Sequence, residues 1–154
     1  MPRMKTKPLR GNGVNDKQAA ALHAAVDKIM RRFKLEPGVL AGSAYANLHV
    51  NDVGMLTVLA EPGEWNVRRI TRELRAPFST ISSALDRLEE RKLIARVRKP
   101  GDRRAVYVEL TAAGARLAKR LRATQIETCR AMLAGLPVRD REEFIRLVGQ
   151  VARG

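Results

Sequence analysis

In the stretch Pro77-Phe78-Ser79-Thr80-Ile81-Ser82-Ser83-Ala84-Leu85-Asp86-Arg87-Leu88-Glu89-Glu90-Arg91, apolar side chains recur at Ile81, Ala84, Leu85 and Leu88. That i, i+3, i+4, i+7 spacing predicts a helix over 77–91 with one buried stripe, and Pro77 suits its first position. The opposite face opens with Ser79, Thr80, Ser82 and Ser83 and continues to Asp86 and Arg87. A leading face of small hydroxylated residues lets a helix sink into a groove. There Ser and Thr bond phosphates or base edges, while a long Arg reaches sideways. Just upstream, Asn66 to Arg75 reads as a shorter helix, with Asn66 as N-cap and Ile70 and Leu74 on the inner face. A tight connection through Ala76-Pro77 joins the two. Two helices with a short turn, the second bearing such a face, read as helix-turn-helix.

Beyond Arg91 the period changes from 3.6 to 2. Ala95 and Val97, then Val106, Val108 and Leu110, alternate with Arg96, Arg98, Tyr107 and Glu109. Between the runs lies Lys99-Pro100-Gly101-Asp102-Arg103-Arg104, a Pro-Gly turn loaded with cations. The expectation is a β-hairpin with a basic tip, a wing following directly on the recognition helix. Trp65 is expected to add a short third strand over this wing; stacking on a ligand is the alternative.

The chain has 154 residues, room for one domain with an assembly appendage, and carries a net charge of +14. Such a balance implies an acidic partner, most simply nucleic acid. Residues 66–104 hold 12 Lys/Arg against 5 Asp/Glu, and residues 1–34 hold 9 against 2, whereas residues 35–65 hold no cation and 4 acids. The basicity is therefore concentrated on the reading unit and the N-terminus. Cys129 is the single cysteine, which excludes an internal disulfide framework and fits a reducing cytoplasm. There is no apolar run near the membrane-spanning length of about 18 residues. The expected location is therefore cytoplasmic, at the nucleoid, with no membrane partner.

Four segments follow in order: a disordered basic arm over 1–14, N-terminal dimerisation helices over 15–47, the winged unit over 48–110, and C-terminal dimerisation helices over 111–154. In the first helix Leu22, Val26, Ile29, Met30 and Phe33 share a face; a shorter helix carries Leu40, Ala44 and Leu48. Leu48 to Ala60 forms the next, with Val53, Leu56 and Leu59 inward. Thr111 caps a long helix to about Leu133, apolar on two sides, and the second side suits another copy of the chain. Asp140 with Glu143 reads as a capping-box-like start of the last helix, whose apolar face is Phe144, Leu147, Val148 and Val151.

No catalytic or metal-binding constellation accompanies these elements. His23, His49 and Cys129 are far apart and lack metal-ligand spacing, and no phosphate-binding or nucleophile motif is present. The expectation is a non-enzyme without metal or cofactor. Cys129 reads as a small buried hydrophobe, the alternative being a thiolate stabilised by Arg130.

Residues 48–114 resemble the MarR family of winged helix-turn-helix transcriptional regulators. The resemblance runs through Leu48, Leu56 and Leu59; Ser79-Thr80-Ile81 and Leu85-Asp86-Arg87-Leu88-Glu89; Asp102-Arg103-Arg104; and Val108-Glu109-Leu110-Thr111 with Gly114. Three positions depart from it. Lys92 stands where the family places Gly, implying a non-Gly residue in the left-handed region, Thr71 where Ala is usual, and His49 where a capping Thr is usual. The resemblance implies a mainly α fold with a small β wing, whose N- and C-terminal helices pair across a homodimer. It also implies a repressor of double-stranded DNA on a pseudo-palindromic operator, with half-sites about 10 base pairs apart. In that arrangement Ser79, Thr80, Ser82, Ser83 and Arg87 enter the major groove and Arg103 meets the minor groove. Arg98, Lys99 and Arg104 lie on phosphates, while Asp102 orients a neighbouring Arg. Release by a small aromatic or anionic effector follows from the family; Tyr45, His49 and Trp65 are candidates to line its crevice, without a decisive pocket signature. The rival reading is a non-specific architectural nucleic-acid binder, which would need more stacking aromatics than the lone Phe78.

Overall fold

The structure is a computed structural model that describes residues 13–33 and 48–153. It forms two units, residues 1–39 and residues 40–154. The described part of the first is a single helix, α1 (Asp16–Phe33). Its start is fixed by reciprocal capping. The Gln18 N–H donates to Asn15 Oδ1 at 2.9 Å, and the Asn15 N–H donates to Gln18 Oε1 at 3.0 Å. Leu22, Val26 and Met30 lie on its apolar face and are all exposed. The basic arm up to residue 12, the short helix expected around Leu40 and Ala44, and Tyr45 lie outside the described residues.

The second unit runs α2 (Val50–Leu59), α3 (Val67–Leu74), α4 (Phe78–Glu90), β1 (Ile94–Lys99), β2 (Asp102–Leu110), α5 (Ala112–Ala134) and α6 (Val138–Arg153). Among the described residues every buried apolar side chain falls between Leu48 and Leu121. Ile81, Ala84, Leu85 and Leu88 of α4 meet Met55 and Leu56 of α2, Ile70 of α3, Val108 of the hairpin and Leu117 and Leu121 of α5 in one aliphatic cluster. Several hundred Å² of apolar surface removed from water here is the main term holding the unit together.

The hairpin is antiparallel, and its register differs from a simple reading of the alternation. Val108 faces Arg96 across the ladder and Leu110 faces Ile94, while Val97 faces Tyr107. Directly opposed residues share a face. Ala95 and Val97 therefore do not join Val108 and Leu110; Ile94, only 2% exposed, fills the core place on β1. The expected third strand is a single bridge, Asn66 to Tyr107, reinforced by the Val108 N–H donating to the Trp65 carbonyl at 2.7 Å.

The junction between α4 and α5 is the tightest part of the fold. Lys92 adopts φ +57, the left-handed conformation expected of it, and closes α4 with a Schellman pair. The Lys92 N–H donates to the Glu89 carbonyl and the Leu93 N–H to the Leu88 carbonyl, both at 2.9 Å. Thr111 caps α5 as expected, accepting from the Gly114 N–H at 3.1 Å while its hydroxyl donates to the Lys92 carbonyl at 2.7 Å. A Cβ on Gly114 would lie 1.9 Å from the Leu93 carbonyl oxygen, so only glycine lets α5 leave here.

Two boundaries move. Pro77 is the N-cap of α4 with φ −58 and ψ 147, one position before the helix. The last helix begins at Val138, so Asp140 sits in its first turn and does not cap it; Glu143 pairs with Arg146 at 2.6 Å. Helix α6 buries no residue, and Phe144, Leu147, Val148 and Val151 are all exposed. Among the described residues no helix is long and apolar enough to cross a membrane.

Candidate nucleic-acid interface

The Asn66 side chain accepts from the Arg69 N–H at 2.8 Å and starts α3. At the other end Arg75 takes φ +48, a left-handed turn that no local sequence signal announced. This turn and Ala76-Pro77 redirect the chain by the start of α4, which packs on both α2 and α3. Thr71 fits the α3 interior by donating its hydroxyl to the Val67 carbonyl at 2.7 Å.

On α4 the inner stripe is sealed, with Ile81, Ala84 and Leu88 at 0% exposure. Ser79 and Ser83 stand fully on the outer face, and Thr80 and Ser82 flank it half-buried. The expected hydroxyl set is thus gathered over the first two turns. Phe78, at the leading end, is 67% exposed. The later outer face turns acidic at Asp86, Glu89 and Glu90.

Arg87 has a partner the sequence did not reveal. Its Nε donates to both oxygens of Asp52 at 3.2 Å and its Nη2 to Oδ1 at 2.6 Å. Asp52 is 1% exposed and also accepts the His49 N–H at 3.2 Å, the back-bond that starts α2. A buried carboxylate is costly unless paired, and here α4 supplies the pair. The Asp52 hydrogen bond raises the Arg87 pKa, against the opposing pull of partial burial. Arg87 is therefore a cation at any physiological pH, and one edge of its guanidinium is committed to α2. The signal that could have found Asp52 is its setting: an acid inside the apolar run Val50–Leu59, in a stretch without a cation.

The wing is tied down in a similar way. Arg96 shares the core face with Val108, and its guanidinium reaches the acids of α4, Asp86 at 2.6 Å and Glu89 at 2.7 Å. At the tip, Asp102 Oδ1 accepts the N–H groups of Arg104 and Ala105, each at 3.1 Å. Asp102 thereby ties the backbone of the turn at Arg104 and Ala105. Lys99 hydrogen-bonds Glu64, which raises its pKa, and lies 4.8 Å over the Tyr107 ring. The guanidinium groups of Arg98, Arg103 and Arg104 meet no carboxylate among the described residues. Of the expected cations, then, three stand unneutralised along the wing, and Arg87 and Lys99 are engaged.

Trp65 is only 4% exposed, donates Nε1–H to the Glu61 carbonyl at 3.0 Å, and lies under the Arg69 guanidinium at 3.8 Å. The ring is buried, with one face covered by Arg69. Cys129, expected to be buried, is exposed on the single chain. It borders a groove of about 380 Å³ with Ile126, Arg130, Leu133, Ala134 and Arg141. Among the described residues no group of three or more His, Cys, Asp or Glu is arranged to hold a metal.

Residues 49–114 match the family of winged helix DNA-binding domains. Along 99% of this chain and 86% of its own length, the regulator PecS of Dickeya dadantii is 24% identical. Among solved structures, FabT of Streptococcus pneumoniae in complex with DNA superposes with a TM-score of 0.77 at 18% identity, covering 88% of this chain and 95% of that one. A MarR transcriptional regulator from Methanosarcina mazei gives 0.71 at 19% identity over 87% and 95%. The fold and the hairpin-flanked helix mark residues 49–114 as a winged helix DNA-binding domain. As a whole the chain shares the fold of that MarR structure.

Proposed function

We propose that the chain is a homodimeric, sequence-specific repressor on double-stranded DNA, released by a small aromatic or anionic effector. One observation carries the reading. The first two turns of α4 present Ser79, Thr80, Ser82 and Ser83 to solvent beside a wing whose Arg98, Arg103 and Arg104 have no internal counter-charge among the described residues. Hydroxyls on an inserted helix suit base edges and phosphates, and the flanking guanidiniums suit the backbone and a narrow minor groove. Arg87, steadied by Asp52, keeps its outer edge for the same groove.

Dimerisation is supported by the apolar faces of α1 and α6, which are exposed in the single chain. A winged unit reads few base pairs, and a two-fold assembly doubles the site, with half-sites about 10 base pairs apart. Effector release rests on the MarR-like fold: a wedge between dimer helices and reading heads would favour one of two head separations.

The test is an electrophoretic shift with the DNA upstream of the protein's own gene, against excess random competitor. A discrete shift that survives competitor is expected. A smear abolished by competitor would favour the architectural binder that the net charge of +14 alone would allow. Arg103→Ala should lower the slope of log affinity against log salt by about 0.9 for each phosphate it ceases to neutralise. An unchanged slope removes the wing from the reading.

A further inference from the structure

Phe78 is the odd residue of α4. The helix's other large apolar side chains, Ile81, Leu85 and Leu88, are at most 2% exposed, whereas Phe78 is 67% exposed. It is the first residue of the helix, directly before Ser79 and Thr80 and directly after the Pro77 cap. Ser82 lies one turn on, along the same flank as Asp86 and Glu89, which Arg96 secures. The N-terminal residues of a recognition helix are the ones that reach base edges. A large flat apolar group at that place cannot read a donor or acceptor. What it can read is the one apolar group in the major groove, the C5-methyl of thymine.

Resting on the DNA-binding reading above, we propose that Phe78 is a specificity-determining residue that selects thymine at one position of each half-site by covering its methyl group. Its hydroxylated neighbours then handle hydrogen-bonding edges, and Phe78 adds discrimination that hydroxyls cannot supply. An exposed phenyl ring in the free protein becomes buried only on the correct base, so contact and selectivity coincide.

The experiment uses the full chain and a duplex recovered by in vitro selection with the parent protein. Each thymine of that duplex is replaced singly by deoxyuridine, which deletes the methyl and leaves every hydrogen-bonding group. Expected is one symmetry-related pair of positions at which the parent loses affinity about fourfold per methyl, the factor carried by burying one methyl-sized group. Phe78→Ala, which lacks the ring in both protomers, should bind the thymine duplex about as weakly as the parent binds a duplex with both thymines of the pair replaced, and be indifferent to the replacement. Its thermal midpoint should match the parent's, because the ring packs on little, and this separates a missing DNA interaction from a damaged fold. Phe78→Leu should restore part of the sensitivity. A parent indifferent to every methyl, or a Phe78→Ala variant as sensitive as the parent, overturns the inference. A parent that selects no sequence at all sinks the regulator reading itself, and this inference with it.

Discussion

Helix α4 of the winged unit and the helices α1 and α6 carry comparable apolar stripes in sequence, and they fare oppositely in the structure. In the winged unit the inward positions Met55, Leu56, Ile81, Leu85, Leu88, Ile94 and Val108 are at most 2% exposed. On α6 the same periodicity leaves Leu147 at 47% and Val148 at 52% exposure, and on α1 it leaves Leu22 at 66%. A helical stripe announces that a surface will be covered; it does not say by what. In the winged unit the cover is the same chain. For α1 and α6 we propose that it is a second copy.

Substituting one residue from each region puts that contrast at risk most directly. Leu88→Ala is expected to cost about 3 kcal/mol of unfolding free energy with the dimer dissociation constant unchanged, read by denaturant titration and sedimentation. Leu147→Glu should do the reverse, raising the dissociation constant by at least about tenfold while the winged unit stays folded. A Leu147→Glu chain that sediments like the parent breaks the comparison.

Asp52→Asn probes how the packed region serves the exposed reading face. The amide keeps an acceptor for the His49 N–H and loses the charge that holds Arg87. Stability should fall by about 2 kcal/mol. The salt slope of DNA binding should steepen by up to about 0.9 per protomer as the freed guanidinium turns to phosphate. A slope identical to the parent's would mean that the pair is only a strut between α2 and α4.

The smallest effect concerns the backbone. Lys92→Gly should raise stability by about 1 kcal/mol, since the left-handed conformation at φ +57 is strained for Lys and free for Gly. Loss of stability there would show that the Lys side chain contributes more than its backbone costs.

Much of the fold was legible because its signals are local. The Asn66 and Thr111 caps, the Ile81 to Leu88 stripe and the Pro-Gly turn each depend on residues a few positions apart, while the left-handed Lys92 is implied by the family resemblance. What stayed hidden depends on distance. Asp52 and Arg87 are 35 residues apart, and nothing in either neighbourhood names the other. The hairpin register, which sets Arg96 beside Val108, is decided by cross-strand alignment, and period 2 alone leaves it open by one residue. Asp140 with Glu143 imitated a cap because Val138 had already begun the helix two residues earlier. For the interface, residue types located the hydroxyl face and the cations, but only coordinates distinguish the engaged Arg87 and Lys99 from the unneutralised Arg98, Arg103 and Arg104.

The Thr111 hydroxyl, bonded to Lys92 on one side and to Gly114 on the other, has a mechanical consequence. It pinches the chain shut at the root of the wing, so that residues 92–111 form a closed bight. The wing tip lies at the far end of that bight from the junction. Helix α5, by contrast, reaches the end of α4 through two hydrogen bonds and a glycine seated against a carbonyl. The two ends of the reading head are thus unequal: α5 is tied directly to the end of α4, and the wing tip is not.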